Sequence, residues 1–201
     1  MSHIDKRVES LRSLLLKHHL DGWIINGTDP HQSEYVSPRW RSREWISGFS
    51  GSAGTVVVTA DKALLWVDSR YYIQAEQQLA GSCFTMMKMD DLSCPSVSTY
   101  LKDTLKEGAR IGIDKATLTV YAKQDMESAF GSRLELVASD DLLDEIWIFR
   151  PPVPSASVVM LSDDIAGFST LQKLTMVRLA MVQAGADYTI VSSLDDIAWL
   201  T

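Results

Sequence analysis

The chain has 201 residues, and 19 basic against 26 acidic side chains give it a formal charge of −7. That balance excludes the basic stripe of a nucleic-acid binder and the polybasic face of a membrane-surface protein, so neither nucleic acid nor membrane is expected as a partner. The length sets one to two domains, with enough residues for one well-buried core and a remainder.

The N-terminus, MSHIDKRVES, is charged from Asp5 onward and has no apolar signal-peptide core. With no apolar run long enough to span a bilayer, a soluble cytoplasmic protein is expected. Ile4, Val8, Leu11, Leu14, Leu15 and Leu16 recur at helical spacing opposite Lys6, Arg7, Glu9, Arg12 and Lys17, which predicts an amphipathic helix up to Leu20. Asp21-Gly22 ends it, and Trp23-Ile24-Ile25 reads as a buried strand. Residues 26–42, polar and broken by Gly27, Pro30 and Pro38, read as a loop, and loops on rigid scaffolds often carry binding residues.

A glycine- and serine-rich turn at Gly48, Gly51 and Gly54 leads into two β-branched or apolar runs, Thr55 to Thr59 and Ala63 to Val67, split by Ala60-Asp61-Lys62. This pattern predicts a buried hairpin. Asp68 or Ser69 then caps a helix over 70–80. Strands follow at 83–89, 110–113 and 134–137, with helices over 96–106, 118–130 and 142–149. Helix and strand alternate, which favours an α/β fold, and the hairpin makes its sheet mixed.

Pro151, Pro152 and Pro154 can neither continue a helix nor sit in a central strand. The expected organisation is therefore a domain over 1–150, a linker over 151–156 and a second unit over 157–201. One constant offset aligns Leu11 with Val177, Arg12 with Arg178, Leu15 with Met181, Asp21 with Asp187, Ile24 with Ile190 and Ile25 with Val191. Helix face, breaker and strand recur without gaps, so the second unit reads as a related domain. One helix and one strand cannot bury a core, and the sequence reads as part of something longer.

Candidate chemistry is sparse. The segment Ser47 to Thr55 lacks the lysine of a P-loop and leads into a strand, so it reads as a turn that lets backbones pack closely. His31 and Glu34 share a face if helical, but a metal site needs three or four converging ligands; a loop-anchoring role is favoured over metal, with a groove-lining role between them. All four histidines, His3, His18, His19 and His31, fall at the start of the chain, and Cys83 and Cys94 have no CxxC partner and read as reduced thiols. Asp68-Ser69-Arg70-Tyr71 sits at a strand end, where α/β folds expose side chains into a crevice. Arg70 either pairs with Asp68, the favoured reading, or reaches out to a carboxylate. Asp195-Asp196 reads as the acidic first turn of a helix. Nothing here assembles a nucleophile with its base or a tuned carboxylate pair, so no catalytic residue and no metal ligand is assigned.

Taken in order, His31-Gln32-Ser33-Glu34-Tyr35, Ser47-Gly48-Phe49-x-Gly51-Ser52-Ala53-Gly54-Thr55, Trp66-x-Asp68-x-Arg70-Tyr71, Met87-Lys88-Met89, Asp144-x-Ile146-Trp147-x-x-Arg150-Pro151 and Leu194-Asp195-Asp196-Ile197-Ala198-Trp199-Leu200 resemble the N-terminal half of three-domain Xaa-Pro aminopeptidases of the creatinase and prolidase superfamily. The resemblance implies a creatinase N-terminal-type α/β domain, with a mixed central sheet flanked by helices, followed by the start of a second such domain. It further implies a third domain, not represented here, in which two divalent metal ions, usually manganese, activate water. That domain removes the N-terminal residue ahead of proline. In this reading the chain is non-catalytic by itself, shapes access for short peptides with proline in second position, and contributes to a homodimer. His31, Arg70 and Tyr71 are its candidates for facing the substrate groove. The alternative is a stand-alone module of the same fold that binds a peptide or protein.

Overall fold

A computed structural model describes residues 2–201. Helix α1 (His3–Lys17) starts on a capping box, in which the Ser2 hydroxyl accepts from the Asp5 amide and the Asp5 carboxylate accepts from the Ser2 amide. Its Val8, Leu11, Leu14 and Leu15 are buried. Six strands follow: β1 (Gly22–Ile25), β2 (Thr55–Thr59), β3 (Ala63–Val67), β4 (Thr85–Lys88), β5 (Ala109–Asp114) and β6 (Leu134–Ser139). They form one sheet in the order β4-β3-β2-β1-β5-β6. The hairpin strand β2 runs antiparallel to both neighbours, with Val57 opposite Ile24 on one side and Leu64 on the other. The pairs β1–β5, β3–β4 and β5–β6 are parallel, so the sheet is mixed.

Alternation along the strands divides the core between the two faces. Trp23, Ile25, Val56, Val58, Leu65 and Val67 meet α1, α2 (Ser42–Ser47) and α3 (Tyr72–Leu79). Ile24, Val57, Leu64, Trp66, Ile111 and Ile113 meet α4 (Val97–Thr104) and α5 (Val120–Phe130). The inner strands β1, β2, β3 and β5 are buried on both faces, and that is why they read as continuous apolar runs. Gly112 is needed at the sheet centre: a Cβ there would fall within the Trp23 indole, which lies across it.

Three local expectations are corrected. Residues 42–47, between the loop read over 26–42 and the glycine turn and assigned no helix, form α2, which has no side-chain N-cap and ends on Gly48 in the left-handed region at φ 77°. The helix expected over 142–149 is only a 3-10 turn, Leu142–Glu145, because Trp147 and Arg150 are drawn back onto α2 and the loop before it. The strand expected at Ile190-Val191 does not form, and Ile190 is exposed; strand backbone needs a neighbour for its amides and carbonyls, and it pairs with none among the described residues. Between Glu145 and Asp163 the described chain has neither helix nor strand. Beyond that stretch lie α6 (Asp163–Ala166), α7 (Thr170–Ala184) and α8 (Leu194–Leu200), with Asp195 and Asp196 in the first turn of α8 as read.

Candidate functional site

The loop after β1, the 3-10 turn Pro38–Trp40, α2 and the glycine turn 48–54 enclose a cleft of about 260 Å³. Gly27, Tyr35, Trp40, Arg41, Arg43 and Ser52 are among its lining residues.

Arg43, on α2, is 6% exposed and lies over the Phe49 ring. Its guanidinium donates to the carbonyls of Gly51, Ser52 (3.4 Å) and Gly54 (3.0 Å), all in the glycine turn. Gly27 leaves the space that the guanidinium fills. Burial pushes this guanidinium below its ordinary pKa.

At the far side of the turn stands Tyr71. Its ring meets Phe49 edge to face at 5.8 Å, and its hydroxyl lies 2.6 Å from Ser52 Oγ. Gly51 admits both rings, since a Cβ there would overlap Phe49 and crowd Tyr71.

Arg70 is exposed and doubly bonded to Asp68, Nε to Oδ1 at 2.9 Å and Nη2 to Oδ2 at 2.8 Å. The pair is self-supporting: the Arg70 hydrogen bonds lower the Asp68 pKa, and Asp68 raises that of Arg70. Asp68 also caps the 3-10 turn Ser69–Tyr71 by accepting from the Arg70 amide. The Asp90 carboxylate accepts from the Ser69 amide at 2.6 Å. The local fork between Asp68 and Arg70 is the arrangement favoured from sequence.

The structure therefore brings Arg70 and Tyr71 together beside the glycine turn. It places His31 elsewhere. The His31 amide donates to Asp29 Oδ1 at 2.9 Å, its Nδ1 lies 3.0 Å from the Ser192 carbonyl, and it shares no hydrogen bond with the pair. Sequence reasoning missed Arg43; as the third of the alternating arginines Arg39, Arg41 and Arg43 it gives no signal of what its donors reach.

A second cluster accounts for the Asp144-to-Pro151 motif. Trp147 stacks on Trp45 of α2 at 5.0 Å and 14°, with Arg7 on the outer face of Trp45. Arg150 donates to Asp141 (2.7 Å), Asp144 (2.9 Å), Ser42 Oγ (2.9 Å) and the Arg39 carbonyl (3.0 Å). Arg39 holds Asp144 through both carboxylate oxygens. This cluster fixes the chain just ahead of Pro151.

Among the described residues, no group of three or more His, Cys, Asp or Glu side chains is arranged to hold a metal ion. Asp68 is committed to Arg70, and Asp141 and Asp144 to Arg150. The donor set of the described residues does not fit a divalent centre.

A mixed six-stranded sheet with helices on both faces and a cleft beside a glycine turn defines an α/β domain whose family the comparisons give. A family model described as the creatinase/prolidase N-terminal domain matches residues 7–146, a second model of the same description matches 149–201, and the chain belongs to this family. It is 40% identical over 201 residues to aminopeptidase P1 of Lotus japonicus, covering 98% of this chain and 30% of that one. It is 35% identical over 209 residues to Xaa-Pro aminopeptidase 1 of Dictyostelium discoideum, covering 98% and 33%. The crystal structure of X-prolyl aminopeptidase from Caenorhabditis elegans, described as a cytosolic enzyme with a di-nuclear active site, matches with a TM-score of 0.88 and 30% identity over 100% of this chain and 34% of that one. The chain thus spans about a third of the length of these relatives, and it corresponds to their N-terminal part. An aminopeptidase P from Streptococcus thermophilus, 20% identical with a TM-score of 0.55, shares the fold.

Proposed function

We propose that this chain is the non-catalytic N-terminal part of a metal-dependent Xaa-Pro aminopeptidase, a cytosolic enzyme that removes an N-terminal residue preceding proline. The observation that carries the reading is the match of the whole chain, at a TM-score of 0.88, to a third of the C. elegans enzyme. In this reading residues 1–150 form one domain, 151–156 a linker and 157–201 the start of a second, related domain. Two divalent ions, manganese by the family resemblance, belong to a part of the protein outside these residues. The chain's own contribution is steric and electrostatic. The glycine turn, Tyr71 and the exposed Arg70–Asp68 ion pair form a polar rim that bounds the space open to a short peptide. His31, in the loop after β1, stands apart from this rim, its amide on Asp29 and its ring beside the Ser192 carbonyl. The protein assembles as a homodimer.

The test is peptide hydrolysis. The full-length protein is expected to release the N-terminal residue from an Xaa-Pro peptide in the presence of manganese, to lose that activity with a chelator, and to regain it when metal is restored. The chain 1–201 alone is expected to release nothing above background. A full-length protein that never cleaves Xaa-Pro peptides with any divalent ion refutes the reading and favours a stand-alone binding module.

A further inference from the structure

Arg43 is an anomaly on electrostatic grounds. A guanidinium this deeply buried ordinarily faces a carboxylate, because removing a charge from water without a counter-charge is unfavourable. Here Glu44, next in sequence, stands 3.9 Å from Arg41 instead, and the donors of Arg43 go to three backbone carbonyls in the turn 51–54. Its Nε is buried and has no hydrogen-bond partner. The arginine is thus committed to the shape of one turn. Carbonyls that converge from a tight turn need donors fanned from a single point, and a planar fork supplies them where an ammonium on a flexible stem does not.

That turn is the seat of Tyr71. Gly51 supplies the gap into which the Tyr71 and Phe49 rings fit, and Ser52 supplies the oxygen 2.6 Å from the Tyr71 hydroxyl. Tyr71 in turn adjoins Arg70, whose guanidinium lies 5.3 Å from the centre of its ring. The contacts run without a break from Arg43 through the glycine turn and Tyr71 to Arg70.

We propose that Arg43 is a positioning residue for the substrate rim: it holds the turn 51–54 in the one shape that seats Tyr71 beside the Arg70–Asp68 pair. It does so from beneath the rim, with its donors spent on the turn. The inference rests on the functional reading above for its consequence in catalysis, and on the contacts alone for its structural part.

The experiment uses the full-length protein as wild type, Arg43→Lys, Tyr71→Phe and the double variant, with kcat and KM measured on an Xaa-Pro peptide. In parallel, the 19F signal of 3-fluorotyrosine placed at position 71 reads the seat of that ring directly. Arg43→Lys is expected to raise KM about tenfold with kcat within about twofold, the pattern of lost binding common to ground and transition state. Tyr71→Phe should do the same, and the double variant should be no worse than the more affected single, because both act through one contact. Arg43→Lys should also shift the 19F resonance. Should Arg43→Lys fail to fold, Ser52→Ala breaks the same relay one step later at an exposed side chain and must give the same KM change and 19F shift.

An unmoved 19F signal overturns the inference whether or not the protein cleaves peptides. So do additive effects in the double variant. A shifted signal in a protein that never cleaves Xaa-Pro peptides refutes the functional reading alone and upholds Arg43 as the residue that seats Tyr71.

Discussion

Arg150→Met removes the cation at the centre of the cluster ahead of the prolines. The Arg150 side chain is 4% exposed and Asp141 8% exposed, so the variant leaves a buried carboxylate without its partner. Removing one member of such a pair costs about 3–5 kcal/mol. Asp144, 49% exposed and still held by Arg39, adds at most about 1 kcal/mol. The cation 5.2 Å from the Trp147 ring is lost as well, for about 0.5–1 kcal/mol. The orphaned Asp141 dominates, and for a chain of this size its share alone corresponds to a melting point lowered by about 6–20 °C. Urea unfolding followed by tryptophan fluorescence measures the loss. The double variant Arg150→Met/Asp141→Asn keeps an acceptor for the Leu143 amide, which Asp141 Oδ1 now caps at 3.1 Å, and removes the stranded charge. It should recover about 2 kcal/mol or more. A loss under about 1 kcal/mol in the single variant, or a double variant no more stable than the single, would refute the reasoning.

Gly112→Ala places a methyl inside the Trp23 ring and should cost about 1–3 kcal/mol in the same assay, since neither β1 nor β5 can move aside within the sheet. Asp114, at the carboxyl end of β5, has its pKa raised by burial, with the Ala116 amide opposing that shift and Asp141 adding to it. A carboxyl raised in the folded state favours folding when protonated and opposes it when ionised. Asp114→Asn should therefore be more stable than the parent at pH 7, and the difference should close as the pH falls through the raised Asp114 value; a gap that widens on acidification contradicts this. Asp68, Asp90 and Glu145 have lowered pKa values, chiefly from hydrogen bonds to Arg70, Ser69 and Lys17 respectively. Their contribution is present above the ordinary carboxylate pKa and is lost as the pH falls through the lowered values. The parent chain should accordingly lose stability in acid, which a urea series across pH reads.

The fold was legible where local signals agreed. The runs Thr55–Thr59 and Ala63–Val67, each entirely apolar or β-branched around a three-residue turn, are the observed strands residue for residue, and buried strands announce themselves in this way. The fork of Asp68 with Arg70 was legible because they lie two residues apart, but Asp68 caps the 3-10 turn Ser69–Tyr71 and not the helix read after it, which starts at Tyr72 with no side-chain cap. The rest depended on distant partners. Six residues without a side-chain cap give no periodic signal, so α2 was hidden. Ile190 and Val191 have strand composition, but composition cannot supply the neighbouring strand. The positions of Arg43 and Arg150 follow from carbonyls and carboxylates brought close by the fold, and spacing in sequence carries no trace of them.

Under the proposed function, this polypeptide frames a hydrolytic centre without holding its metal. Titration of manganese into the chain 1–201 and into the full-length protein, followed by electron paramagnetic resonance, tests it most directly. The expected result is two tightly held ions per full-length chain and only free manganese with residues 1–201. An ion bound stoichiometrically by the 201-residue chain, and lost on substitution of carboxylate or histidine side chains within it, would contradict the account.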